Sequence, residues 1–297
     1  MAIPASDPSL AAAPRAAGAA PGTARRWGHG TIMLGTWGPA AFLALLVAAC
    51  FFLPLIAPVP SPTAGSVLNA SLPPGSPGHL FGTNAVGDDV LSQVLYGGRV
   101  SLEVGAATQL IGLLVGGTIG AVAGFSTGLL GTVIMRVIDV LIAFPALVLA
   151  LAIAEGMGPS EVHVIWALTF FSVPAFARVA RAATLQVRDR VFVVACDLLG
   201  SSRRRIMVRH LVPNILPQLV TYGLLGAGLV IVLEGALSFL GLGVPPPNPS
   251  WGNMISSGEA TLSVSPYLVL IPSAFLLATV LALNLLGESL RQRWSAR

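Results

Sequence analysis

The chain has 297 residues, of which 55% are hydrophobic and 9% are charged, and its formal net charge is +4. A soluble domain carries about 25% charged residues, so this composition excludes a soluble globular protein and indicates several membrane spans. All sixteen basic residues are arginine. Without lysine the chain cannot form a Walker A phosphate loop, so any ATP hydrolysis must occur in another chain.

The hydrophobic runs define the predicted membrane spans. Residues 1–30 are rich in Ala, Pro, Gly and Arg without periodicity, which predicts a disordered tail. A signal peptide is the alternative, but the apolar run at 38–58 is too long for one and favours an uncleaved span. Five further runs reach the ~20 residues that a bilayer requires. They lie at 103–125, 131–154, 162–182, 216–241 and 267–287. The sequence therefore predicts an all-α, polytopic membrane protein with six transmembrane helices.

The distribution of arginine predicts the orientation of these spans. If the N-terminus is cytoplasmic, fifteen of the sixteen arginines fall in cytoplasmic segments, and Arg99 alone falls outside. An excess of basic residues marks the cytoplasmic side of membrane proteins. We therefore expect a multi-pass protein of the bacterial plasma (inner) membrane with both termini in the cytoplasm. Residues 59–101 and 242–266 would lie on the outer side.

Two features are predicted in the outer segments. Asp88 and Asp89 suit the N-terminus of a helix, because carboxylates are stabilised there. An apolar stripe follows them and Gly97-Gly98 would end it, which predicts a short interfacial helix on the outer face of the membrane. Trp251 follows a proline-rich stretch and is predicted at a membrane–water interface, where tryptophan is enriched.

Few ionisable residues fall within the spans. Arg136 and Asp139 have the spacing i, i+3, which predicts a structural ion pair on one helix face near the interface. Glu234 is the one deeply placed acid, and its small neighbours indicate close helix packing. We expect Glu234 to form hydrogen bonds inside the bundle, although it could also line a transport path. The scattered histidines predict no metal cluster, and no nucleophile–base arrangement is evident, so the chain itself is not predicted to be an enzyme.

The stretch of residues 187–213, here called the polar segment, lies between two long apolar runs. Gly200 can end a first helix, and Ser201 or Ser202 can cap a second one that stops near Pro213. The apolar face of the first helix would be formed by Val191, Val194, Ala195 and Leu198. A solvated basic loop and a DNA-binding helix-turn-helix are the alternatives. A loop needs no apolar face, and spans flank the segment closely, so we favour docking against a partner protein.

The polar segment resembles the EAA loop of binding-protein-dependent ABC importer permeases. That loop has the pattern Glu-Ala-Ala, three residues, Gly, nine residues, then Ile-x-Leu-Pro. The corresponding positions here are Val194-Ala195-Cys196, Gly200 and His210-Leu211-Val212-Pro213. The spacing is intact, whereas Val194 replaces the glutamate and Asp197 stands where peptide permeases usually have arginine.

Four further stretches resemble the C-type permease of the peptide/nickel branch of this family. They are His79 to Leu102, the set Arg136, Asp139, Phe144 and Pro145, the stretch from Glu234 to Gly252, and Gly287 to Arg291. Together with the polar segment they follow the order of the family and cover about residues 35–291. The resemblance therefore extends over most of the chain.

The resemblance implies a type I ABC importer permease fold with a cytoplasmic coupling helix. It implies a second, homologous permease, two ATP-binding domains or one fused ATPase, an extracytoplasmic substrate-binding protein and membrane lipid as partners. Neither cofactor, metal nor nucleic acid is expected, since ATP is bound by the partner subunits. The residues expected to couple to the ATPase are Val194, Ala195, Cys196, Asp197, Gly200, Arg203, Arg204, Arg205, His210 and Pro213. The other expected site residues are Arg136, Asp139 and Glu234 within the membrane and Asp88, Asp89, Arg99 and Trp251 outside it.

The expected division of the chain follows from the same resemblance. A disordered tail would occupy residues 1–30, a first span with an extracytoplasmic segment 31–97, the permease domain 98–289 and a cytoplasmic tail 290–297. The implied function is ATP-driven uptake of dipeptides or oligopeptides by alternating access. Nickel or haem uptake is an alternative within the family, and a stand-alone secondary transporter or channel is an alternative of another class.

Overall fold

In the computed structural model, residues 29–57, 59–126 and 128–295 are described, and they form an all-helical membrane protein. The predicted disordered tail lies outside the described residues, apart from its last two, which belong to the first helix. The helices are α1 (His29–Ile56), α2 (Val90–Ile111), α3 (Gly117–Phe125), α4 (Leu129–Ile142), α5 (Ala146–Met157), α6 (Glu161–Arg188), α7 (Val191–Leu198), α8 (Arg203–Ile206), α9 (Val212–Phe239), α10 (Trp251–Glu259) and α11 (Tyr267–Ser295). One π-helical turn, Gly112–Gly116, joins α2 to α3, and another, Met207–Leu211, joins α8 to α9.

The predicted spans correspond to helices, with one difference. In the part of the chain that the structure describes, five helical segments are long and apolar enough to cross a membrane: Thr36–Ile56, Val90–Phe125, Glu161–Arg188, Arg203–Phe239 and Tyr267–Trp294. The remaining predicted span, at 131–154, is α4 followed by α5, and these two helices are bent by 81°. The bend falls at Pro145, which lacks a backbone N–H and disfavours a helical conformation for the residue before it. The third predicted run is therefore a broken helix pair.

The predicted interfacial helix at residues 90–97 is wrong, because α2 continues through Gly97 and Gly98. A Cβ atom at Gly98 would lie 2.7 Å from the Trp251 ring and 2.8 Å from the Cys50 sulfur. Val90 and Val94 are buried in the same core as Trp251. These glycines allow two distant parts of the chain to approach α2, and the apolar stripe begins a long helix.

The predicted helix end near Pro213 is also wrong. Helical structure continues from Arg203 to Phe239. Pro213 lies inside this continuous helical segment, just after the π-helical turn Met207–Leu211, and the change of helical pitch at that turn accommodates a residue that lacks a backbone N–H. The Asn214 side chain donates a hydrogen bond of 2.6 Å to the His210 carbonyl beside it. The second helix of the polar segment is thus the start of a long helical rod.

The long helices form a bundle with two ends, here called the α10 end and the α7 end. At the α10 end, buried residues of α1, α2, α10 and α11 share one core around Trp251. At the α7 end, buried residues of α3, α6, α7 and α9 share another core around Phe176 and Ile206. Helices α3 and α6 approach closely, since a Cβ atom at Gly120 would clash with the Ala177 carbonyl oxygen. The two ends of the bundle therefore have separate hydrophobic cores.

Candidate functional site

Helix α7 presents an apolar surface at its end of the bundle. Val191, Leu198 and Leu199 are 85%, 84% and 86% exposed, and they share one face because they are spaced by seven and eight residues. Val193, on the opposite face, is buried in the core. An exposed apolar patch of this kind marks a contact surface for a protein or a membrane.

The turn after α7 has the predicted glycine geometry. Gly200 has a φ of +76°, and a Cβ atom at this position would meet no other atom within 4 Å, so backbone conformation, not crowding, requires glycine. The Gly200 N–H donates to the Asp197 carbonyl at 2.9 Å, and the Ser201 N–H donates to the Cys196 carbonyl at 3.0 Å. These two bonds form a Schellman motif. Ser202, not Ser201, caps α8, because its hydroxyl accepts from the Arg205 N–H.

The polar segment is held firmly on the bundle. Val193, Ile206 and Leu211 are buried in the core that also contains α6 side chains. The Cys196 sulfur lies 3.7 Å from His210 Nε2, which joins α7 to the π-helical turn. Arg188 donates a hydrogen bond of 3.0 Å to the Gly124 carbonyl at the end of α3. These contacts join the polar segment to α3, α6 and α9.

The predicted coupling residues occupy different environments within this segment. Cys196 and His210 are half-buried. The exposed ones are Val194, Ala195, Asp197, Gly200, Arg203, Arg204, Arg205 and Pro213. Exposed leucines beside exposed arginines form a surface that suits an apolar groove with an acidic rim. Sequence reasoning missed Leu199, because the apolar periodicity that it followed ends at Leu198.

The predicted ion pair between Arg136 and Asp139 is wrong. Asp139 instead pairs with Arg178 of α6, with 2.9 Å between Oδ1 and Nη2. The Arg136 side chain is exposed. Spacing along one helix shows only which residues could meet, whereas the packing of α4 on α6 brings in a closer partner. The observed pair joins the broken helix pair to α6.

Glu234 is fully buried and accepts hydrogen bonds from two serines, as predicted for an acid inside the bundle. Ser101 Oγ of α2 donates to Oε2 at 3.0 Å, and Ser238 Oγ of α9 donates to Oε1 at 2.8 Å. Ser238 Oγ also lies 3.3 Å from the hydroxyl of Ser250, which caps α10. These four residues, here called the glutamate cluster, connect three helices at the α10 end.

Trp251 does not occupy an interface, contrary to the prediction. It is the first residue of α10 and is fully buried. Its indole N–H donates to the Val94 carbonyl at 3.1 Å, and its backbone N–H donates to Ser101 Oγ at 3.3 Å. A tryptophan with a hydrogen-bond partner suits a buried site as well as an interface, so residue type alone could not distinguish the two.

The segment between α1 and α2 is fixed by the two predicted aspartates. Asp89 caps α2, with Oδ2 accepting from the Ser92 N–H at 2.8 Å, and its other oxygen lies 2.9 Å from His79 Nδ1. Asp88 accepts from the Gly65 N–H at 3.0 Å and therefore holds the segment together instead of beginning the helix. Sequence reasoning missed Tyr267, whose hydroxyl lies 2.9 Å from two carbonyl oxygens of this segment.

Arg99, the single arginine predicted outside, lies on α2 near the α10 end. It pairs with Glu103 at 2.9 Å, one helical turn further along. Its guanidinium carbon is 5.3 Å from the centre of the Phe51 ring of α1. A cation over an aromatic ring is a favourable contact, and here it joins α1 to α2.

Two of the cavities among the described residues lie on elements that matter for transport. One, of about 390 Å³, lies at the α10 end between the segment 59–89, the proline-rich stretch and α10. The other, of about 290 Å³, is an apolar groove between α2 and α9. Gln109 lines this groove, and its amide oxygen is buried without a hydrogen-bond partner. Within the described ranges, no group of three or more metal-binding side chains occurs, and both cysteines are free.

Comparison with known sequences identifies relatives along most of the chain. Residues 116–297 match the family described as binding-protein-dependent transport system inner membrane component. The glutathione transport system permease protein GsiD of Escherichia coli O1:K1 / APEC is 37% identical over 252 residues, which is 85% of this chain and 83% of that protein. The protein of that name from Shigella flexneri serotype 5b (strain 8401) is 39% identical over the same shares of the two chains.

Solved structures share the fold at lower sequence identity. An inward-facing methionine ABC transporter, MetNI, matches with a TM-score of 0.58 and 14% identity, covering 68% of this chain and 96% of that chain. An amino acid ABC transporter with histidines matches with a TM-score of 0.54 and 19% identity, covering 68% and 94%. The fold is therefore that of type I ABC importer permeases.

Proposed function

Because the chain belongs to the family of binding-protein-dependent transport system inner membrane components, we propose that it imports short peptides in a complex with a second, homologous permease. The chain is an ABC importer permease of the inner membrane, and such a permease works with an ATPase and a binding protein. It is not catalytic itself and carries no cofactor. What remains to be proposed is the orientation, the coupling surface and the substrate.

The α7 end is assigned to the cytoplasm. The arginines Arg188, Arg190, Arg203, Arg204, Arg205 and Arg209 all belong to the polar segment there. By the positive-inside rule, this places both termini in the cytoplasm and the α10 end outside. The ATPase would then be bound at the α7 end and the substrate-binding protein at the α10 end.

The observation that carries the proposal is the exposed apolar face of α7 on a rigidly held segment. Leu198 and Leu199 would enter a groove of the ATPase, and Arg203, Arg204 and Arg205 would meet its rim. Val194 replaces the motif glutamate, so docking here depends on shape and apolar contact more than on an acid at that position. The same surface supports two ATP-binding domains or one fused ATPase equally well.

Closure of the ATPase would move α7 and, with it, the helices on which the polar segment is fixed. The contacts of Val193, Ile206 and Arg188 link that segment to α3, α6 and α9. These helices would tilt between inward-open and outward-open states, which is alternating access. The groove that contains Gln109 is the proposed contribution of this chain to the path, because it places one polar amide among apolar walls.

The proposed substrate is a dipeptide or oligopeptide. The relatives at 37–39% identity are named as glutathione permeases, and glutathione is a tripeptide. This favours a short peptide over nickel or haem. The groove around Gln109 is largely apolar, which suits a substrate that carries aliphatic side chains and amide groups together.

The test is uptake by the reconstituted complex. The chain would be co-expressed with its neighbouring permease, ATPase and binding protein, and uptake of labelled glutathione, dialanine, tetra-alanine, nickel and haem would be compared. We expect peptide uptake that requires ATP and the binding protein. Uptake driven by a proton gradient without nucleotide would show instead a secondary transporter, and preferential uptake of nickel or haem would refute the peptide assignment.

Gly200→Pro tests the coupling surface within the same assay. Proline fixes φ near −65°, whereas Gly200 needs +76°, and the variant also loses the N–H that bonds Asp197. We expect normal membrane insertion and no ATP-driven uptake. Gly158→Pro is the matched control, because Gly158 has a φ of +82° and donates to Ala154 at the end of α5, away from the polar segment. Uptake that survives Gly200→Pro would contradict coupling through this turn.

A further inference from the structure

We propose that Glu234 and Ser101 are positioning residues that fix α10 to α2 and α9. Through this connection, the docking of a binding protein on the outer face would shift α9 and thereby the polar segment. This inference rests on the proposed function and adds to it the route by which a docked binding protein influences the ATPase. A buried serine connects α10 to α2. Ser101 Oγ accepts from the Trp251 N–H at 3.3 Å and donates to Glu234 at 3.0 Å.

The groups that make this connection lie deep inside the protein. Ser101, Glu234, Ser250 and Trp251 are all fully buried. A buried carboxylate and a buried N–H without partners are costly, so the hydrogen bonds of the glutamate cluster define one preferred position of α10. Small residues add to this, because a Cβ atom at Gly252 of α10 would clash with the Gly235 Cα atom of α9.

Helix α10 also forms part of the proposed outer surface. The cavity of about 390 Å³ at this end is lined by Asn253 and Ser257 of α10, by Pro247 and Asn248 of the proline-rich stretch, and by Asn84 and Asp88 of the segment after α1. A binding protein that docks at this end would touch these three elements together. Any shift of α10 would reach Glu234 through Ser101 and Ser250.

A long helical rod extends from the glutamate cluster. Glu234 and Ser238 lie near the end of a continuous helical segment, Arg203–Phe239, whose first residues belong to the polar segment. At 1.5 Å per residue, such a rod spans roughly 50 Å, more than the thickness of a bilayer core. One continuous helical segment therefore carries the glutamate cluster near one end and the proposed ATPase contact at the other.

The experiment measures ATP hydrolysis by the reconstituted complex, with and without the binding protein loaded with the peptide that the wild type takes up. Ser101→Ala removes the hydroxyl that joins the three helices while alanine keeps α2 helical. Thr108→Val is the matched control, because Thr108 is a fully buried residue of the same helix whose hydroxyl has no hydrogen-bond partner. Glu234→Gln keeps an oxygen that accepts from one serine and an amide that can donate to the other.

We expect the Ser101→Ala complex to assemble and to keep its basal ATP hydrolysis. Its stimulation by the loaded binding protein should be about fivefold weaker than in the wild type, which is the lower range of typical coupling between two sites. Thr108→Val should be stimulated like the wild type, and Glu234→Gln should keep most of the stimulation. Equal stimulation of Ser101→Ala and the wild type would overturn the proposal. So would a Ser101→Ala complex that fails to assemble, or a parallel loss of basal and stimulated hydrolysis, since either result shows a purely structural role.

Two further results separate this proposal from the others. A complete loss of transport in Glu234→Gln would overturn positioning through hydrogen bonds and indicate that the charge or proton of Glu234 is required. If the loaded binding protein fails to stimulate even the wild-type complex, the proposed function fails, and the route through α9 falls with it. Stimulation of the wild type and of Ser101→Ala alike refutes the route alone.

Discussion

The exposed leucines of α7 allow the most direct test of the coupling surface. Leu198 is 84% exposed in the isolated chain, so replacing it should change the stability of the permease by less than about 0.5 kcal/mol. If the ATPase buries this side chain, Leu198→Ser loses most of the free energy of burying a leucine, which is about 2 kcal/mol. That loss corresponds to roughly thirtyfold weaker binding of the ATPase.

The assay is the dissociation constant of the purified ATPase for the permease pair in detergent or nanodiscs. Leu68→Ser is the matched control, because Leu68 is 94% exposed and lies at the α10 end, on the face away from the polar segment. Thermal unfolding of both variants checks that each permease remains folded. If Leu198→Ser and Leu68→Ser bind the ATPase equally well, the α7 face is not the docking surface and the coupling argument is refuted.

Three further predictions concern orientation and packing. A membrane-impermeant maleimide should label Cys196 only when it has access to the cytoplasmic side, while Cys50 stays unlabelled because it is buried. Labelling of Cys196 in intact cells would show that the orientation is the reverse of the proposed one. Gly120→Ala should destabilise the bundle by about 1–3 kcal/mol, because the added methyl group clashes with α6. Gly156→Ala on α5 is the control and should be neutral or stabilising, because its methyl group meets open space. Equal unfolding temperatures of the two variants would contradict the close packing of α3 on α6. Trp251→Phe keeps an aromatic ring but loses the bond to the Val94 carbonyl and part of a fully buried ring, so the unfolding free energy should fall by about 2 kcal/mol or more. An unchanged value would contradict this account of the Trp251 core.

Five of the six predicted spans correspond to continuous helices among the described residues, because length and apolar character are properties of single segments. Length and hydropathy of each run decide whether it can cross a bilayer. The turn at Gly200 was predictable for the same reason, since a helix end with a left-handed glycine is a local signal that the structure confirms. Local signals of this kind need no knowledge of what lies nearby in the fold.

The errors arose where a residue is chosen for a contact with a distant part of the chain. Gly98 resembles a helix end in sequence, but it is small because Trp251 packs against it. Asp139 has a candidate partner three residues away, yet its partner in the fold is Arg178 of another helix. Both contacts depend on which helices pack against each other, and a single sequence does not show which helices are neighbours in the fold.

The groove around Gln109 illustrates the same limit for function. Gln109 lies in an apolar run with no motif around it, so sequence reasoning had no signal for it. Only the packing of α2 against α9 shows that its amide oxygen is buried without a partner in a groove of about 290 Å³.

Division of the chain into a first segment and a permease domain at residues 97 and 98 remains a prediction.

The central claim is that this chain moves peptides only when ATP is hydrolysed by a partner bound at the polar segment. The direct measurement is uptake of a labelled peptide into proteoliposomes that contain both permeases and the ATPase, with the binding protein at the α10 end. We expect uptake that requires ATP and the binding protein and that disappears in Gly200→Pro. Peptide uptake that continues without nucleotide, under a proton gradient alone, would contradict the claim.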